Sequence, residues 1–508
     1  MTLPKSWPKS WPKSWPKSWS ARLAWALTAL ATLLYMVAAV RTALDSPYWM
    51  DEVLAVWTAR LPTARAVWDA LAKGAEFSPP LLHLLLQKIQ QLGGHGRLAM
   101  RAPAMIAVYV VALCAYGLVR RRSEAVFAAL AFTLCLASGL AVYAVQARQY
   151  ALVAACFALA AVLWDGLPSR PRGWPSAAGV GLLLAAAIGL HFYAILLAGG
   201  FGLVELAWSV RHRRIRWPVM AAIALAGLSI LLWLPILQHV SAFNHGDTAA
   251  PYYYARPTWL KFGIALMGVL AGHDSILASP LTLVPAAAIA ALVFNPRMSW
   301  RFTDFDLLTI AACLVPVLVF AFAVLVSHAF NERYTIASAF GFALLFARCA
   351  AVLPQGRWVA LGLGGLLLVG MLSPLRTALK ADDLRGDAAL VRRAPPGLPI
   401  VTGNGLRFLE LSENAGPDIA RRLVYLTADD ESELGDPTNE HQVDRWKTID
   451  PHLDVETGDA FMGAHKTFLM FRDQGAAAEV PSIVYDDAKV EVIDHYGTAT
   501  LSKVTLAD

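Results

Sequence analysis

The stretch ARLAWALTALATLLYMVAAV, residues 21–40, decides the fold of this chain. Its only charged residue is Arg22, and as a helix it would rise about 30 Å, the thickness of the hydrocarbon core of a membrane. Four copies of PKSW, from Pro4 to Trp19, precede it. Because proline interrupts helices and the repeat has no apolar period, residues 1–20 are predicted to form a disordered basic tail. No small-residue cleavage site follows the run cleanly, so we predict a transmembrane helix rather than a signal peptide.

The composition of the whole chain indicates a membrane protein. Of its 508 residues, 57% are hydrophobic and 16% are charged, whereas about a quarter of the residues of a soluble domain are charged. The apolar runs are long enough to span a bilayer, and we predict an all-α polytopic domain of about eleven transmembrane helices over residues 21–375. After the first, the spans are predicted at residues 102–119, 125–143, 149–165, 176–190, 194–210, 217–235, 277–294, 307–326, 334–352 and 358–373.

The charged residues indicate how these helices are oriented. Residues 1–375 carry 29 Lys and Arg against 13 Asp and Glu, whereas residues 376–508 carry 14 against 24. The basic residues lie in alternate short loops, as the positive-inside rule requires, and this placement argues against a nucleic-acid partner. We predict a multi-pass protein of the bacterial inner (plasma) membrane, with a cytoplasmic N-terminus and an extracytoplasmic C-terminal domain. The loops assigned to the cytoplasm contain Arg120–Arg122, Arg170 with Arg172, Arg211–Arg216, Arg297 with Arg301, and Arg357.

A long first outer loop, residues 41–101, is predicted to contain three short helices that form a platform at the membrane surface. Asp51 begins the first helix, Thr63 caps the second, and Ser78 caps the third. The third, residues 81–92, would cover only about 18 Å, so we predict an interfacial helix along the outer leaflet. It carries a polar stripe that consists of His83, Gln87 and Gln90 or Gln91.

After Pro374 the composition becomes that of a soluble domain. We predict a small extracytoplasmic α/β domain over residues 376–508, with helical stretches near 405–413 and 437–447. The predicted strands are Pro399–Thr402, Arg422–Leu426 and Thr467–Phe471.

Two adjacent carboxylates, Asp51 and Glu52, stand just outside the first span. Carboxylates beside a membrane are costly to desolvate unless they have a partner or a function. A structural explanation stays open, in which Asp51 is a helix N-cap and the helix dipole favours Glu52. The other polar residues predicted on the same side favour a functional site.

Arginines and tyrosines at the predicted outer ends of other spans accompany this pair. Arg148 and Tyr150 follow one span, and Arg333 and Tyr334 lie at the beginning of another. Arginine binds two phosphate oxygens at once and stabilises charge on a leaving phosphate. A carboxylate within hydrogen-bonding distance can take the proton of an attacking hydroxyl. The set therefore favours a cavity for a phospholipid-like donor at the membrane surface.

The order of these features resembles that of the large membrane glycosyltransferases of the GT-C fold. The resemblance is to the family of the protein O-mannosyltransferases and of the bacterial transferases that add aminoarabinose to lipid A. It covers about residues 20–375, with a looser likeness in the C-terminal domain. The residues that carry it are Asp51-Glu52, Ser78-Pro-Pro-Leu-Leu82, Arg101-Ala-Pro103, Ala147-Arg-Gln-Tyr150 and Arg333-Tyr334.

This resemblance implies an inverting glycosyltransferase that moves a sugar from a polyprenyl-phosphate donor to a lipid, glycan or protein acceptor on the non-cytoplasmic face. It implies that Asp51 is the base, or orients the acceptor, and that Glu52 supports it. The lipid-linked sugar would be a substrate, membrane lipids the other partners, and no cofactor is predicted. The residues implied to shape the donor site are Arg148, Tyr150, Arg333 and Tyr334.

The chain departs from the family pattern at two positions. The family usually has a basic residue or histidine directly before the Pro-Pro pair, where this chain has Ser78. It often has a glutamate two residues before the first of these arginines, where this chain has Gln146. Some phosphate contacts are therefore assigned to other residues, and Arg256 and Lys261 are the candidates.

Two other functions stay open from the sequence. A transporter or flippase for a lipid-linked saccharide would need the same amphipathic cavity but no carboxylate base. Against it, we find no convincing inverted repeat and no charged residue in mid-span except Glu205, which lies near the inner end of its helix. The other is a non-catalytic scaffold whose outer domain binds a partner in the cell envelope. No metal site is predicted, because the five cysteines all lie in or at the ends of apolar spans.

Overall fold

The chain consists of a long helical part followed by a smaller part that contains a sheet. The computed structural model describes residues 17–167, 173–238, 255–271, 302–353, 355–379, 386–427, 438–473 and 488–506. Most of the predicted tail and the predicted span 277–294 lie outside these ranges. Residues 17–20, predicted as the end of the tail, belong to the first helix.

Apolar helices form most of the first part. In a helix every backbone group in mid-segment is hydrogen-bonded within the segment, which a lipid environment requires. Within the described ranges, five helices are long and apolar enough to cross a membrane, or up to seven if each of two bent pairs is one span. The predicted polytopic helical domain is therefore confirmed, but the number of eleven spans is not. In chain order the helices are α1 (Lys17–Asp45), α2 (Met50–Arg60), α3 (Ala64–Ala72), α4 (Leu81–Gln91), α5 (Arg97–Arg120), α6 (Ala125–Ala137), α7 (Tyr150–Asp165), α8 (Trp174–Leu190), α9 (Ile195–His212), α10 (Trp217–Leu228), α11 (Trp259–Ala271), α12 (Asp304–Cys313), α13 (Val315–Phe322), α14 (Ser338–Val352) and α15 (Gly356–Leu379).

A break after α6 leads the chain towards the polar residues of the predicted site. α6 and the following 3-10 turn, Gly139–Val145, are bent by 56° relative to each other. At this break α11 packs so closely that a Cβ atom on Gly139 would lie 1.9 Å from the Gly268 carbonyl oxygen. Only glycine fits at this crossing, and residues 146–149 then connect the turn to α7.

The predicted platform consists of α2, α3 and α4. The Thr63 hydroxyl accepts a hydrogen bond from Ala66 N at 3.1 Å, so its predicted role as the cap of α3 is confirmed. The prediction that Ser78 caps α4 is wrong, because Pro80 is the N-cap residue and no side chain caps this helix. The Ser78 hydroxyl is instead bonded to buried side chains of the site.

The polar stripe of α4 faces the interior of the protein. This helix has 11 residues, too few to cross a membrane. His83 is buried, and Gln87 Nε2 donates to the Leu61 carbonyl at 2.6 Å. Leu85 and Leu92 are exposed instead. The predicted spacing of the stripe is thus correct, and the stripe serves contacts inside the platform.

The C-terminal part is the predicted small α/β domain. Its sheet has the strand order β3-β2-β1-β4-β6-β5, with parallel pairing from β3 to β4 and antiparallel pairing from β4 to β5. All three predicted strands and both predicted helices are present, whereas β3, β5 and β6 were not predicted. The strands are β1 (Ile400–Thr402), β2 (Leu423–Thr427), β3 (Asp454–Thr457), β4 (Thr467–Asp473), β5 (Lys489–Tyr496) and β6 (Ala499–Thr505). The helices are α16 (Gly386–Arg392), α17 (Gly405–Asn414), α18 (Pro417–Ala420), α19 (Thr438–Ile449) and α20 (Gly458–Ala464).

The platform shares a hydrophobic core with this domain. Leu54 on α2, Ala70 on α3 and Ala75 in the loop before α4 are buried in one apolar cluster with side chains of the domain. Trp446 on α19 contacts Trp57 on α2 edge to face, with ring centroids 5.2 Å apart. The C-terminal domain therefore sits directly on the platform that carries Asp51.

Candidate functional site

Asp51 lies between two arginines from distant parts of the chain. It is the second residue of α2, and Trp49 is the N-cap, so the interpretation of Asp51 as a helix cap is wrong. Its carboxylate Oδ2 contacts Nη1 of Arg333 and lies 3.4 Å from Nη2 of Arg148. Arg148 Nη1 also donates to the Asp51 carbonyl at 2.8 Å. The structure thus brings together the acidic and basic groups that the sequence predicted on one side.

The neighbouring carboxylate, Glu52, is fully occupied by protein contacts. Arg101 donates from Nε to Oε1 at 2.8 Å and from Nη2 to Oε2 at 2.7 Å, and both side chains are 1% exposed. Ala147 N donates to Oε1 at 2.7 Å. Glu52 therefore fixes the beginning of α2 against α5 and the loop that carries Arg148. Arg101 also donates to the carbonyls at the end of α1, namely those of Ala43, Ser46 and Pro47.

A third carboxylate, Glu76, was not predicted from the sequence. Its Oε1 accepts from Arg148 Nη1 at 2.5 Å and from the Ser78 hydroxyl at 3.0 Å, and its Oε2 lies 3.0 Å from His83 Nε2. Burial by itself raises the pKa of Glu76, but the charges of Arg148 and His83 and the hydrogen bonds lower it to about 2. Glu76 is therefore a carboxylate that holds Arg148 in place.

His83 and Glu76 lie beside the two positions at which the sequence departs from the family pattern. Ser78 stands where a basic residue is usual, and His83 Nε2 lies 3.1 Å from its hydroxyl. Gln146 stands where a glutamate is usual, and Glu76 pairs with Arg148 instead. The regular polar stripe of α4 was the available signal for His83. Glu76 follows a helix end at Gly74 and had no such signal.

An aromatic cluster lines the same site. Tyr334 stacks on Tyr193, with ring centroids 4.3 Å apart and planes at 28°, and lies 4.9 Å from the His191 ring. The Tyr150 ring lies 5.5 Å from that of His191 and 5.7 Å from the Arg333 guanidinium carbon. Burial, together with the charges of Arg148 and Arg333, lowers the pKa of His191 to about 3. His191 is therefore a neutral member of an apolar and aromatic surface beside the cations.

Of the remaining candidates, Arg256 precedes α11 and Lys261 lies in its first turn. Lys261 Nζ donates to the Arg256 carbonyl at 3.2 Å, and the Arg256 side chain is exposed. The Ala255 carbonyl accepts from Phe330 N at 2.6 Å, which joins this segment to the turn that contains Arg333. Among the described residues, no ion pair joins Arg256 or Lys261 to Asp51. Their role in the donor site stays a prediction.

No family model and no curated protein matches the chain. Among solved structures, the chain matches others over nearly its whole length. The chain is similar to ArnT from Cupriavidus metallidurans in the apo state, with a TM-score of 0.58, 14% identity and coverage of 95% of this chain and 98% of that chain. The same protein bound to undecaprenyl phosphate matches with a TM-score of 0.57, 14% identity and coverage of 94% and 97%. The chain has the GT-C fold, and the resemblance predicted from the sequence is confirmed at this level.

Proposed function

We propose that this chain is an inverting glycosyltransferase of the non-cytoplasmic membrane face, with a polyprenyl-phosphate sugar as donor and a lipid, glycan or protein as acceptor. One observation carries the proposal: a carboxylate, Asp51, is held between two arginines in a chain whose fold matches that of ArnT. The structure of ArnT with undecaprenyl phosphate supports a donor of this class. The lipid-linked chemistry also fits a site built beside apolar helices.

Arg148 and Arg333 are suited to bind the donor phosphate. Both side chains are largely buried, where water screens charge poorly and guanidinium groups bind phosphate oxygens strongly. Arg148 Nε is buried and has no hydrogen-bond partner among the described residues. This N–H is a donor that a phosphate oxygen could use. Glu76 pairs with Nη1 of Arg148 at 2.5 Å, and this contact restrains the guanidinium while Nε stays available.

Asp51 is the best candidate for the base among the three carboxylates. Both oxygens of Glu52 accept from Arg101, and the pKa of Glu76 is lowered to about 2. Asp51 is more accessible than either, at 13% side-chain exposure. It is therefore the carboxylate that an acceptor hydroxyl can approach most easily, and the donor phosphate can serve as counter-ion to its two arginines once Asp51 is protonated.

In the proposed step, the acceptor oxygen attacks the anomeric carbon of the sugar and its proton passes to Asp51. The bond from the anomeric carbon to the phosphate oxygen breaks, and its electron pair leaves with the phosphate. Attack opposite the leaving group inverts the anomeric centre. The phosphate gains the negative charge that Asp51 loses. Arg333 and Arg148 can therefore pair with the phosphate as their attraction to the carboxylate decreases. This stabilisation increases in the transition state, which is the condition for catalysis.

The test is a transfer assay with the protein reconstituted in liposomes. Radiolabelled sugars linked to undecaprenyl phosphate serve as donors, and total lipid and envelope extracts serve as acceptors. Asp51→Asn is compared with Asp69→Asn, a matched change of an exposed carboxylate on α3 that pairs with Arg65. We expect transfer by the wild type and by Asp69→Asn, and a loss of about 100-fold or more in Asp51→Asn, because general-base catalysis contributes about that much.

Equal transfer rates for Asp51→Asn and the wild type would show that Asp51 is not the base. Movement of the intact lipid-linked sugar across the bilayer, without transfer, would favour a transporter or flippase instead. Binding of undecaprenyl phosphate without either activity would favour a scaffold. The three functions that the sequence left open therefore give different results in one preparation.

A further inference from the structure

We infer that the C-terminal domain holds the carboxylates of the site in position, and that Asn414 and Gln442 are positioning residues for the transfer. The inference rests on the proposed function. Its basis is that α17 and α19 of this domain bind backbone groups of the platform directly beside Asp51 and Glu76. These two carboxylates lie on separate segments, and each segment has its own contact with the domain.

The first contact lies at the beginning of α2. Asn414 Oδ1 accepts from Tyr48 N at 2.9 Å, and Asn414 Nδ2 donates to the Tyr48 carbonyl at 2.7 Å. Glu410 Oε1 accepts from Met50 N at 3.0 Å. Met50 directly precedes Asp51, so α17 fixes the backbone on the N-terminal side of this carboxylate. These partners are 360 to 366 residues apart in the chain.

Arg407 connects this contact to the sheet of the domain. Its Nη1 lies 2.7 Å from Glu410 Oε2, and its Nη2 lies 2.6 Å from Asp473 Oδ2 at the end of β4. The Glu410 carboxylate therefore bridges a guanidinium of the domain and Met50 N of the platform. A continuous set of polar contacts runs from β4 to the residue before Asp51.

The second contact precedes Glu76. Gln442 Nε2 donates to the Ala75 carbonyl at 2.5 Å and to the Gly74 carbonyl at 3.2 Å. Trp446 Nε1 donates to the same Ala75 carbonyl at 3.0 Å. Gln442 and Trp446 are buried, so these bonds are shielded from water. Because Glu76 holds Arg148, this contact acts first on the cation, and it reaches Asp51 only through Arg148.

The two contacts predict different kinetic effects. Loss of the Asn414 bonds loosens Asp51, so the chemical step should slow while the donor still binds. Loss of the Gln442 bonds loosens Glu76 and with it Arg148, so donor binding should weaken. A displacement of about 1 Å at a reacting group can lower a rate by about 100-fold, so effects of about tenfold are reasonable for a partial loss of support.

The experiment compares Asn414→Ala and Gln442→Ala with Asp418→Asn, an exposed carboxylate in the same domain. All variants are full-length and reconstituted. We expect Asn414→Ala to lower kcat about tenfold with an unchanged KM for the donor, and Gln442→Ala to raise that KM and weaken undecaprenyl phosphate binding about tenfold. Asn414→Asp, which keeps an acceptor for Tyr48 N, should recover part of kcat. It also replaces Asn414→Ala if that variant does not fold.

Hydrogen exchange supplies a readout that does not depend on activity. The Tyr48 and Met50 amides should exchange faster in Asn414→Ala than in Asp418→Asn, at equal melting temperature. If both alanine variants keep the kinetics of Asp418→Asn while the wild type transfers sugar, the inference is wrong and the proposed function stands. If the wild type transfers no sugar, the proposed function fails instead.

Discussion

Asp51 and Arg333 form an ion pair although 282 residues separate them in the chain. Asp51 lies at the beginning of α2, and Arg333 lies in the 3-10 turn Glu332–Thr335 that leads to α14. The group proposed to take the proton of the acceptor is thus in contact with a group proposed to bind the phosphate. We therefore expect Asp51 and Arg333 to act in the same chemical step.

The first prediction concerns Arg333. Arg333→Ala should lower kcat by about 100-fold, because it removes a cation that stabilises the leaving phosphate. Arg333→Lys keeps the charge but not the planar fork, so an intermediate rate is expected. Arg65→Ala, on the exposed surface of α3, is the matched control. Transfer rates measured with saturating donor test this, and a wild-type rate in Arg333→Ala would contradict the proposed role.

Asp51→Asn and Arg333→Ala should also be non-additive. If the two residues act in the same step, the double variant should be little slower than the slower single variant. Two independent groups would instead multiply their effects. The four transfer rates of the cycle decide between these cases, and multiplied losses would show that the ion pair has no part in the chemical step.

A second prediction separates the adjacent carboxylates. Glu52→Gln should impair folding, because removal of one partner of a buried ion pair costs about 3–5 kcal/mol. Arg101 would then lie buried without its counter-ion. Asp51→Asn should lower the melting temperature less than Glu52→Gln, because the Asp51 side chain is 13% exposed and that of Glu52 only 1%. Melting curves of the purified proteins test the contrast, and equal melting temperatures for Glu52→Gln and the wild type would refute it.

The site could be predicted from the sequence where topology alone decides the position of a residue. Arginine-rich loops assign alternate ends of the spans to one side, so Asp51, Arg148 and Arg333 were placed together without any knowledge of packing. That argument gives a common side but no distances. The contacts of Asp51 with both arginines needed the structure.

Glu76 shows where sequence patterns cannot identify a site residue. It follows Gly74 in a short loop with no helical or strand period, and its partner Arg148 is 72 residues away. The contacts of the C-terminal domain are similar, since nothing near Asn414 indicates a bond to Tyr48. The strands β3 and β5 were missed for a different reason. Their side chains are largely exposed, so they lack the apolar pattern of buried strands.

The third prediction concerns pH and His191. Burial, with Arg148 and Arg333 nearby, lowers the pKa of His191 to about 3, whereas an unfolded histidine has a pKa of about 6.5. Below pH 6.5 the unfolded state therefore binds a proton that the folded state does not. The free energy of unfolding consequently decreases as the pH is lowered from about 6.5 to about 3. His191→Asn keeps an acceptor for Tyr193 N, which bonds to His191 Nδ1 at 3.2 Å.

We expect the melting temperature of His191→Asn to fall less than that of the wild type when the pH is lowered from 7.5 to 4.5. The pKa of Glu76, lowered to about 2, adds an acid-dependent loss that begins only below about pH 4.5. The chosen range therefore isolates the histidine. An equal fall in the melting temperatures of the variant and the wild type over this range would show that His191 is protonated in the folded protein.

The last prediction concerns Arg256 and Lys261, which the sequence assigned to phosphate binding. Arg256 is exposed just before α11, so its charge acts through water. Exposed charge pairs contribute about 0–1 kcal/mol, which corresponds to at most about a fivefold effect. Arg256→Ala with Lys261→Ala should therefore raise the KM for the donor no more than about fivefold, leave kcat unchanged, and remove part of the salt dependence of KM. A fall in kcat of the size expected for Arg333→Ala would place these residues at the reacting phosphate, and it would mean that α11 moves towards Asp51 when the donor binds.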